Sequence, residues 1–314
     1  MISPEILSSL EKIKLENAVS MTDFRSRVVS DHRYLNRAEG PLFIHIGGAS
    51  GSGKTTAARS LDSIGNNVVY FPMDNYMKGQ TFVNHTTSTD PTSYGWDDPR
   101  NFDLETIQAD LLKLKEIGTA NAPLFNRMTS EREASQTCLV SVSSSSIVVV
   151  EGIHALSSKI KKLSDISAFV YTSLHDRLWR RAIRNTLFPG YNSNNLSNLL
   201  KNYLSRVERS YQVHVREHLL DADIVINNPC EPRNDFGPVL LNAPKIDPKL
   251  NYVSALVPNL DSGKLKPGEF IFLSRAADQP GDELLLHYIF DDKELLQYPI
   301  ATDTLDLLRI YYDF

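Results

Sequence analysis

An apolar run in this chain ends in a glycine-rich turn that is followed by lysine and threonine, within residues 42–56. Gly48, Gly53, Lys54 and Thr55 fill the fixed positions of the pattern G-x-x-x-x-G-K-[ST]. In such a loop, backbone N–H groups surround phosphate oxygens, and the next helix directs the positive end of its dipole there. We expect Lys54 to bridge the β- and γ-phosphates of a nucleotide and Thr55 to offer its hydroxyl to Mg²⁺.

The candidate nucleotide-binding residues therefore form one continuous run in the chain. They are Gly48, Ala49, Ser50, Gly51, Ser52, Gly53, Lys54, Thr55 and Thr56. The alternative is a glycine turn that only begins a helix. An apolar strand before the motif and helical spacing after it favour the phosphate loop.

Two carboxylates follow other predicted strands directly. Asp74 comes after the strand 68–71, and Glu151 comes after the strand 146–150. Open α/β sheets bind ligands at the carboxyl ends of their strands, so Asp74 is a candidate base and Glu151 a candidate metal- or water-holding group. The alternatives are a turn cap for Asp74 and a surface carboxylate for Glu151.

Four arginines lie within eight residues on a helix predicted from about residue 175 to 187. They are Arg177, Arg180, Arg181 and Arg184. Beside an asparagine- and glycine-containing segment, such a cluster is typical of a lid that closes on a polyphosphate, here at about 185–197. The alternative is a solvated helix face.

The elements that must position these residues alternate along the chain. Continuously apolar strands at 42–47, 68–71, 146–150, 168–171 and 224–226 are separated by helical patterns at 54–64, 104–117, 175–187 and 196–220. This alternation predicts an α/β fold, a parallel sheet with helices on both faces. Residues 78–101 are predicted to form a long loop over the site.

The predicted domain organisation has three parts. An N-terminal helical extension covers 1–40, with an amphipathic stripe of Ile6, Leu10 and Ile13, and the α/β domain covers 41–228. Crowded prolines at 229–248 mark a boundary, and 229–314 is predicted to be a small α+β region with strands at 269–273 and 284–290 and a terminal helix near 302–312. Its role is open between a packing or oligomerisation appendage and a substrate-selecting module.

Composition excludes several classes of protein. Apolar residues make up 41% and charged residues 23% of the 314 residues, which indicates a globular chain. The net charge of −5 makes nucleic acid an unlikely partner. Cys138 and Cys230 match no metal spacing and are expected to be reduced thiols. No membrane span and no signal peptide is evident, so we expect a cytoplasmic protein.

Several further motifs stand in register with the phosphate loop over about residues 41–228. They read Met-Asp-Asn-Tyr (73–76), Trp-Asp-Asp-Pro-Arg-Asn-Phe-Asp (96–103), Pro-Leu-Phe-Asn-Arg-Met-Thr-Ser-Glu-Arg (123–132), Val-Val-Val-Glu-Gly-Ile (148–153), Arg-Arg-Ala-Ile-Arg-Asn (180–185) and Ala-Asp-Ile-Val-Ile (222–226). In these the chain resembles the uridine kinase/phosphoribulokinase family of P-loop kinases, and most closely uridine-cytidine kinases.

The resemblance implies roles for individual residues. Asp74 occupies the position of the catalytic base, Asp97 that of the carboxylate that holds the ribose hydroxyls, and Glu151 that of the acidic residue near Mg²⁺. Arg181 and Arg184 match arginines that contact the phosphates, and Arg180 belongs to the same motif. Arg132 matches the arginine that closes the substrate-pocket motif.

The chain departs from the family where the acceptor is read. Phe125 and Ser130 stand where the family usually has a tyrosine and a histidine that contact the pyrimidine, and Met77 replaces a common tyrosine. The later arginines of the lid are also missing. Phosphate chemistry is therefore expected to be retained, while recognition of the base is expected to be altered.

Histidines supply weaker signals. His214 and His218 fit the zinc-protease pattern H-x-x-E-H, but no third ligand is evident and we favour a solvated helix face. His45 is expected to pack in the core. His154 is predicted with equal weight to approach the substrate or to pack.

The sequence thus predicts an ATP- (or GTP-) and Mg²⁺-dependent kinase that phosphorylates a primary hydroxyl of a small molecule, most simply a nucleoside or nucleoside-like sugar. The alternatives are another hydroxyl acceptor (a sugar, a coenzyme precursor or a modified nucleic acid) and a nucleotide-binding regulatory protein with a degenerate acceptor pocket. A homo-oligomer is compatible with the sequence.

Overall fold

The computed structural model describes residues 4–36, 40–65, 67–90, 92–174, 176–177, 180–181 and 202–229, together with strands at 256–257, 270–275, 284–290 and 294–299. Arg184, the predicted lid at 185–197 and the predicted helix near 302–312 lie outside these residues. None of the helices in the described ranges is both long and apolar enough to cross a bilayer.

The strands, in chain order, are β1 (Val19–Ser20), β2 (Leu42–Gly48), β3 (Val68–Pro72), β4 (Thr119–Asn126), β5 (Glu131–Ser141), β6 (Ile147–Glu151), β7 (Ile166–Tyr171), β8 (Ile224–Asn227), β9 (Leu256–Val257), β10 (Phe270–Arg275), β11 (Leu284–Phe290) and β12 (Glu294–Pro299). The helices are α1 (Pro4–Glu16), α2 (Met21–Val29), α3 (His32–Leu35), α4 (Lys54–Arg59), α5 (Gln80–Thr89), α6 (Leu104–Ile117), α7 (Ser158–Lys161), α8 (Glu208–His214) and α9 (His218–Asp221).

Six of these strands form one parallel sheet in the order β1-β8-β7-β2-β6-β3. All seven residues of β2 are buried, as expected of a central strand covered on both faces. The predicted α/β fold with a parallel sheet is therefore confirmed.

Alternate residues of β2 pack against helices on opposite faces of the sheet. Ile44 lies in a cluster with Phe24 of α2 and Ala57 of α4. Phe43 lies in a second cluster, which includes Ile107 and neighbouring leucines of α6. Because β2, β6 and β3 pair in parallel, their carboxyl ends lie at the same end of the sheet. The phosphate loop follows β2 at this end.

The N-terminal extension differs from the purely helical prediction because its residues 19–20 pair with β8 and add a strand to the edge of the sheet. Ser20 also begins α2, because its side chain accepts a hydrogen bond from the backbone N–H of Asp23 at 3.1 Å. Ile6 and Ile13 on the predicted stripe of α1 are 55% and 56% exposed. That stripe is therefore not part of the core.

The segment predicted as a loop at 78–101 was interpreted wrongly in part, since it contains α5 and short 3-10 helices at Gly95–Asp97 and Pro99–Asn101. Helix α5 is held by tertiary contacts that override its weak propensity, since Glu131 accepts a hydrogen bond of 2.8 Å from the backbone N–H of Thr81 and Val83 is buried. α5 is followed along the chain by α6 and the antiparallel hairpin of β4 and β5.

Contacts within the chain define two compact units. The first comprises residues 1–172 and 209–228, and the second comprises 173–208 and 229–314. In the second unit, β9 to β12 form an antiparallel sheet in the order β12-β11-β10-β9. The strands predicted at 269–273 and 284–290 are confirmed as β10 and β11. The division into domains at residues 41 and 229 stays a prediction.

Candidate active site

The phosphate loop connects β2 to α4 through glycines whose backbone φ angles are positive. These angles are 143° at Gly48, 85° at Gly51 and 96° at Gly53. At Gly48 a Cβ atom would lie 2.5 Å from the backbone oxygen of Val170, so the position also excludes a side chain by close approach. Glycine is required here by backbone geometry as well as by the motif.

Two side chains outside the motif hold the loop in place. The Thr172 hydroxyl and the Asn228 amide donate hydrogen bonds of 2.9 and 2.7 Å to the backbone oxygen of Ser52. They follow β7 and β8, respectively. Neither residue was predicted from the sequence, although both directly follow apolar strands, the position at which ligand-binding residues of parallel sheets occur.

Lys54 and Thr55 begin α4 and face different partners. The ammonium group of Lys54 donates to the backbone oxygen of Ala49, across the loop, at 2.9 Å. The Thr55 hydroxyl lies 3.2 and 3.3 Å from the carboxylate oxygens of Glu151. The predicted loop residues and the carboxylate at the end of β6 are therefore brought into one site.

Glu151 has an unusual electrostatic environment for a carboxylate. Burial raises its pKa above the ordinary value, and the negative charge of Asp74 acts in the same direction. The positive charge of Lys54 and the hydrogen bond from Thr55 act against this shift. A cation placed beside Glu151 would favour its charged form.

This arrangement fits a hard divalent cation. Mg²⁺ prefers oxygen ligands and is commonly held by one or two carboxylates together with phosphate oxygens. Thr55 and Glu151 present a hydroxyl and a carboxylate within hydrogen-bond distance of each other. Among the residues that the structure describes, no three or more His, Cys, Asp or Glu side chains cluster as a metal site. Mg²⁺ bound here would take water or phosphate oxygens as its remaining ligands.

Asp74 lies in the 3-10 helix Met73–Tyr76, directly after β3. β3 pairs with β6, and Pro72 stands opposite Glu151 in the register. The Asp74 carboxylate is 39% exposed and forms an ion pair of 3.3 Å with Arg127, which lies between β4 and β5. Arg127 lies within the motif at 123–132, and no role was predicted for it from the sequence.

Arg132 and the backbone of Met77 support the turn that carries Asp74. The Arg132 guanidinium donates to the backbone oxygens of Met77 and Tyr76 at 3.1 and 2.5 Å and to Asp103 at 3.2 Å. The backbone N–H of Met77 in turn donates to the backbone oxygen of Asp74 at 3.2 Å. These contacts hold the turn that carries Asp74, so Arg132 has a clear positioning role. Substrate contact by Arg132 stays a prediction.

Asp97 is buried, with 5% of its surface exposed. Its backbone oxygen accepts hydrogen bonds from Nε2 of His154 at 2.9 Å and from the Ser210 hydroxyl at 2.7 Å. His154 is itself buried and contacts the ring of Phe102 edge-on. His154 therefore packs within the fold, and this contact links it to the segment that carries the predicted ribose-binding carboxylate.

The two residues at the altered base-reading positions have different environments. Phe125 contacts Trp96 edge-to-face, with ring centroids 6.1 Å apart. Ser130 has a positive φ of 57°, and its backbone oxygen accepts a hydrogen bond from Gln80 N–H at 2.7 Å. An aromatic pair and a strained turn thus occupy the positions where the resembled family has polar side chains.

The predicted arginine cluster belongs to the second unit. Arg177 is buried and forms an ion pair with Glu208 at 2.7 Å, so it does not lie on a solvated face. Arg180 donates to the backbone oxygen of Pro229 at 3.1 Å, and both Arg180 and Arg181 have helical backbone. The phosphate contacts predicted for Arg180, Arg181 and Arg184 stay predictions.

The histidine motif is a structural feature. His218 is only 8% exposed, so the predicted solvated face is wrong at this residue, because α9 packs its inward face against the core. His214 contacts the ring of Tyr94 edge-on. The prediction that His45 packs in the core is confirmed.

Comparisons with known proteins identify the family of this chain. Residues 43–234 match the model of the phosphoribulokinase/uridine kinase family. The chain is 29% identical to a uridine kinase of Chlamydia pneumoniae over 188 residues, which are 59% of this chain and 81% of that protein. It is 28% identical to the inorganic pyrophosphatase TTM2 of Arabidopsis thaliana over 198 residues, 63% of this chain and 27% of that protein.

Among solved structures, phosphoribulokinase from Rhodobacter spheroides is similar to this chain with a TM-score of 0.49 at 12% identity, covering 77% of this chain and 82% of that one. The family model spans more than half of the sequence, including the phosphate loop, Asp74 and Glu151. The protein is therefore a member of the phosphoribulokinase/uridine kinase family and a kinase-type phosphotransferase.

Proposed function

We propose that this protein transfers the γ-phosphoryl group of ATP, with Mg²⁺, to a primary hydroxyl of a small molecule. The main support is the contact of Thr55 with Glu151 at the end of β6, with Asp74 at the end of the neighbouring strand β3. A nucleotide loop, a carboxylate suited to a metal and a second, exposed carboxylate are the parts that phosphoryl transfer requires.

In this proposal each residue has one task. Asp74 accepts the proton of the attacking hydroxyl, and Lys54 and the loop N–H groups stabilise the charge on the transferring group. Thr55 and Glu151 hold Mg²⁺, which supplies charge neutralisation on the phosphate oxygens when bound. Arg180, Arg181 and Arg184 contribute further positive charge to the polyphosphate.

The acceptor is less narrowly specified than the donor. Nucleosides are the first candidates, since relatives at 29% identity are named uridine kinases. Sugars and coenzyme precursors are equally strong candidates, because Phe125 and Ser130 replace the tyrosine and histidine that contact the pyrimidine in the resembled family. GTP as donor, a cytoplasmic location and homo-oligomerisation stay predictions.

The proposal is tested by an acceptor screen with the full chain, ATP and Mg²⁺, in which phosphorylated products are detected by mass. We expect acceptor-dependent product with the wild-type protein. Lys54→Ala and Asp74→Asn should each lower kcat by about a hundredfold or more, within the range for groups that act in the transition state. Lys12→Ala, on the exposed side of α1, is the matched control and should retain activity.

Wild-type turnover in Asp74→Asn would contradict the assignment of the base, and full activity in Lys54→Ala would contradict the role of the loop. The second candidate is a regulatory protein that binds a nucleotide, which the altered positions Phe125 and Ser130 favour. It predicts tight binding of ATP with no product from any acceptor in the screen.

A further inference from the structure

Arg127 is presented by an ordered turn between β4 and β5. The side-chain oxygen of Asn126 accepts hydrogen bonds from the backbone N–H groups of Met128 and Thr129 at 2.9 and 3.2 Å. The turn therefore has a defined shape, and the Arg127 side chain leaves it toward Asp74. Arg127 is 67% exposed, so its guanidinium is accessible to a ligand.

The contact between Arg127 and Asp74 can be exchanged at low cost. Exposed ion pairs contribute little to stability, and this one has an N–O distance of 3.3 Å with both side chains partly exposed. Arg132, the other arginine of the same hairpin, differs because its donors are bound to two backbone oxygens and Asp103. Of these two guanidinium groups, Arg127 is the one that can move to a ligand.

The same contact creates a competition at the proposed base. While Arg127 donates to Oδ2 of Asp74, an acceptor hydroxyl that approaches this oxygen must compete with the guanidinium. A ligand that carries its own anion removes this competition, since a guanidinium binds phosphate or carboxylate through a fork of two N–H groups. A neutral acceptor offers no such exchange.

Neighbouring residues provide little to recognise a neutral base. The Phe125 ring has no hydrogen-bonding group and packs against Trp96. At Ser130 the backbone oxygen is already bound to Gln80, and the side chain offers a single short hydroxyl. The charged group on this hairpin is therefore better suited to recognition than the residues at the two altered positions.

We infer that the acceptor carries an anionic group, a phosphate or a carboxylate, which the Arg127 guanidinium binds as it releases the Asp74 carboxylate to the acceptor hydroxyl. This inference rests on the proposed kinase function and specifies its substrate class. The anion takes no part in bond formation. The hydroxyl oxygen attacks the γ-phosphorus, ADP leaves, and the hydroxyl proton goes to Asp74.

The experiment compares acceptors that keep a primary hydroxyl and differ in charge. The pairs are glycerate with glycerol and pantothenate with panthenol for carboxylates, and fructose 6-phosphate with fructose for phosphate. Uridine and cytidine are added as neutral nucleosides. We expect kcat/KM with ATP and Mg²⁺ to be at least about tenfold higher for the anionic member than for the neutral member, either in the carboxylate pairs or in the phosphate pair. The pairs that show this difference identify the preferred anion.

Variants assign the preference to Arg127. Arg127→Gln should raise KM for the anionic acceptor by about tenfold or more and so remove most of the difference between the anionic and neutral members of a pair, and Arg127→Lys should restore binding in part. Arg25→Gln, which removes an exposed arginine from α2, is the control for loss of one charge. Preference for a neutral acceptor with no effect of Arg127→Gln would overturn the inference and leave the proposed kinase intact.

A screen in which no acceptor is phosphorylated would instead count against the kinase function. Calorimetric titration of the same glycerate, pantothenate and fructose 6-phosphate probes, with a non-hydrolysable ATP analogue bound, then tests the inference separately. Binding of one anionic probe that is lost in Arg127→Gln supports the anion site. Absence of binding by all three anionic probes overturns it.

Discussion

Glu151 combines a proposed metal-binding position with a cost to the fold. Glu151 ends β6 beside Thr55, and burial together with Asp74 raises its pKa. The chain keeps this carboxylate where its charged form is disfavoured in the absence of a cation. An unfavourable electrostatic environment of this kind is typical of residues that serve function rather than stability.

Glu151→Gln is expected to separate these two effects. A raised folded-state pKa means that the folded protein holds the proton more tightly, so this group destabilises the fold as pH rises above its ordinary pKa of 4.5. At pH 7, without ligand, the glutamine variant should have an equal or higher Tm than the wild type, and its kinase activity should fall by about a hundredfold or more. A lower Tm together with full activity would contradict the role given to Glu151.

At the scale of elements, the strand-to-helix turn at Gly48 determines whether a nucleotide can bind. The loop is held from below by Thr172 and Asn228, and its backbone passes close to Val170 of β7. The β4–β5 hairpin approaches the same edge through Arg127 and Arg132. The donor side is thus built on the sheet, while the acceptor side depends on a hairpin and short 3-10 helices.

Gly48→Ala should be much more damaging than Gly40→Ala, although both glycines have similar φ angles of 143° and 136°. A Cβ at Gly48 would meet the Val170 oxygen at 2.5 Å, whereas at Gly40 nothing lies within 4 Å. Both variants carry backbone strain of about 1–3 kcal/mol, and Gly48→Ala adds a steric cost of similar size. Urea denaturation and ATP titration measure the two effects.

Comparing Gly48→Ala with Gly40→Ala separates the effect of the close contact with Val170 from the effect of the positive φ angle. Equal stability of the two variants, with ATP binding retained in both, would show that the loop tolerates a side chain at Gly48. Loss of ATP binding in Gly48→Ala alone would agree with the geometry of the loop.

At the scale of the whole molecule, buried histidines link folding to pH. His45, His154 and His218 lie in the first unit, and burial lowers the pKa of the first two to about 3 and of the third to about 4. In the unfolded chain these groups titrate near 6.5. The stability they contribute is therefore fully present above pH 6.5 and is lost progressively as the pH falls from 6.5 toward the folded-state pKa values of about 3 and 4.

We expect the Tm of the ligand-free protein to fall between pH 7 and pH 5, by roughly 2–4 °C for each kcal/mol of stability lost. The Glu151→Gln background is used because Glu151 has the opposite pH dependence. His218→Leu should flatten the profile, since it removes one buried titratable group. A Tm that stays constant between pH 7 and pH 5 would contradict this origin of acid sensitivity.

Much of the donor side could be predicted from local sequence, because its residues are continuous and their spacing is set by backbone geometry. The run Gly48–Thr56 and the strand ends at Asp74 and Glu151 needed only periodicity and position in the chain. The loop assignment of α5 failed because contacts with residues distant in the chain override its weak helix propensity: Glu131 accepts from the backbone N–H of Thr81, and Val83 is buried. The single paired strand at Val19–Ser20 was missed because two residues carry no periodic pattern.

By itself, the sequence determined the α/β class, the nucleotide loop and the candidate carboxylates, because each depends on residues that are neighbours in the chain or at the ends of apolar strands. Only the tertiary structure decided which distant side chains meet. It joined Thr55 to Glu151, Arg127 to Asp74 and His154 to the backbone of Asp97. These contacts depend on strand order and on the docking of the hairpin, which are set by packing across the whole first unit and not by any local pattern.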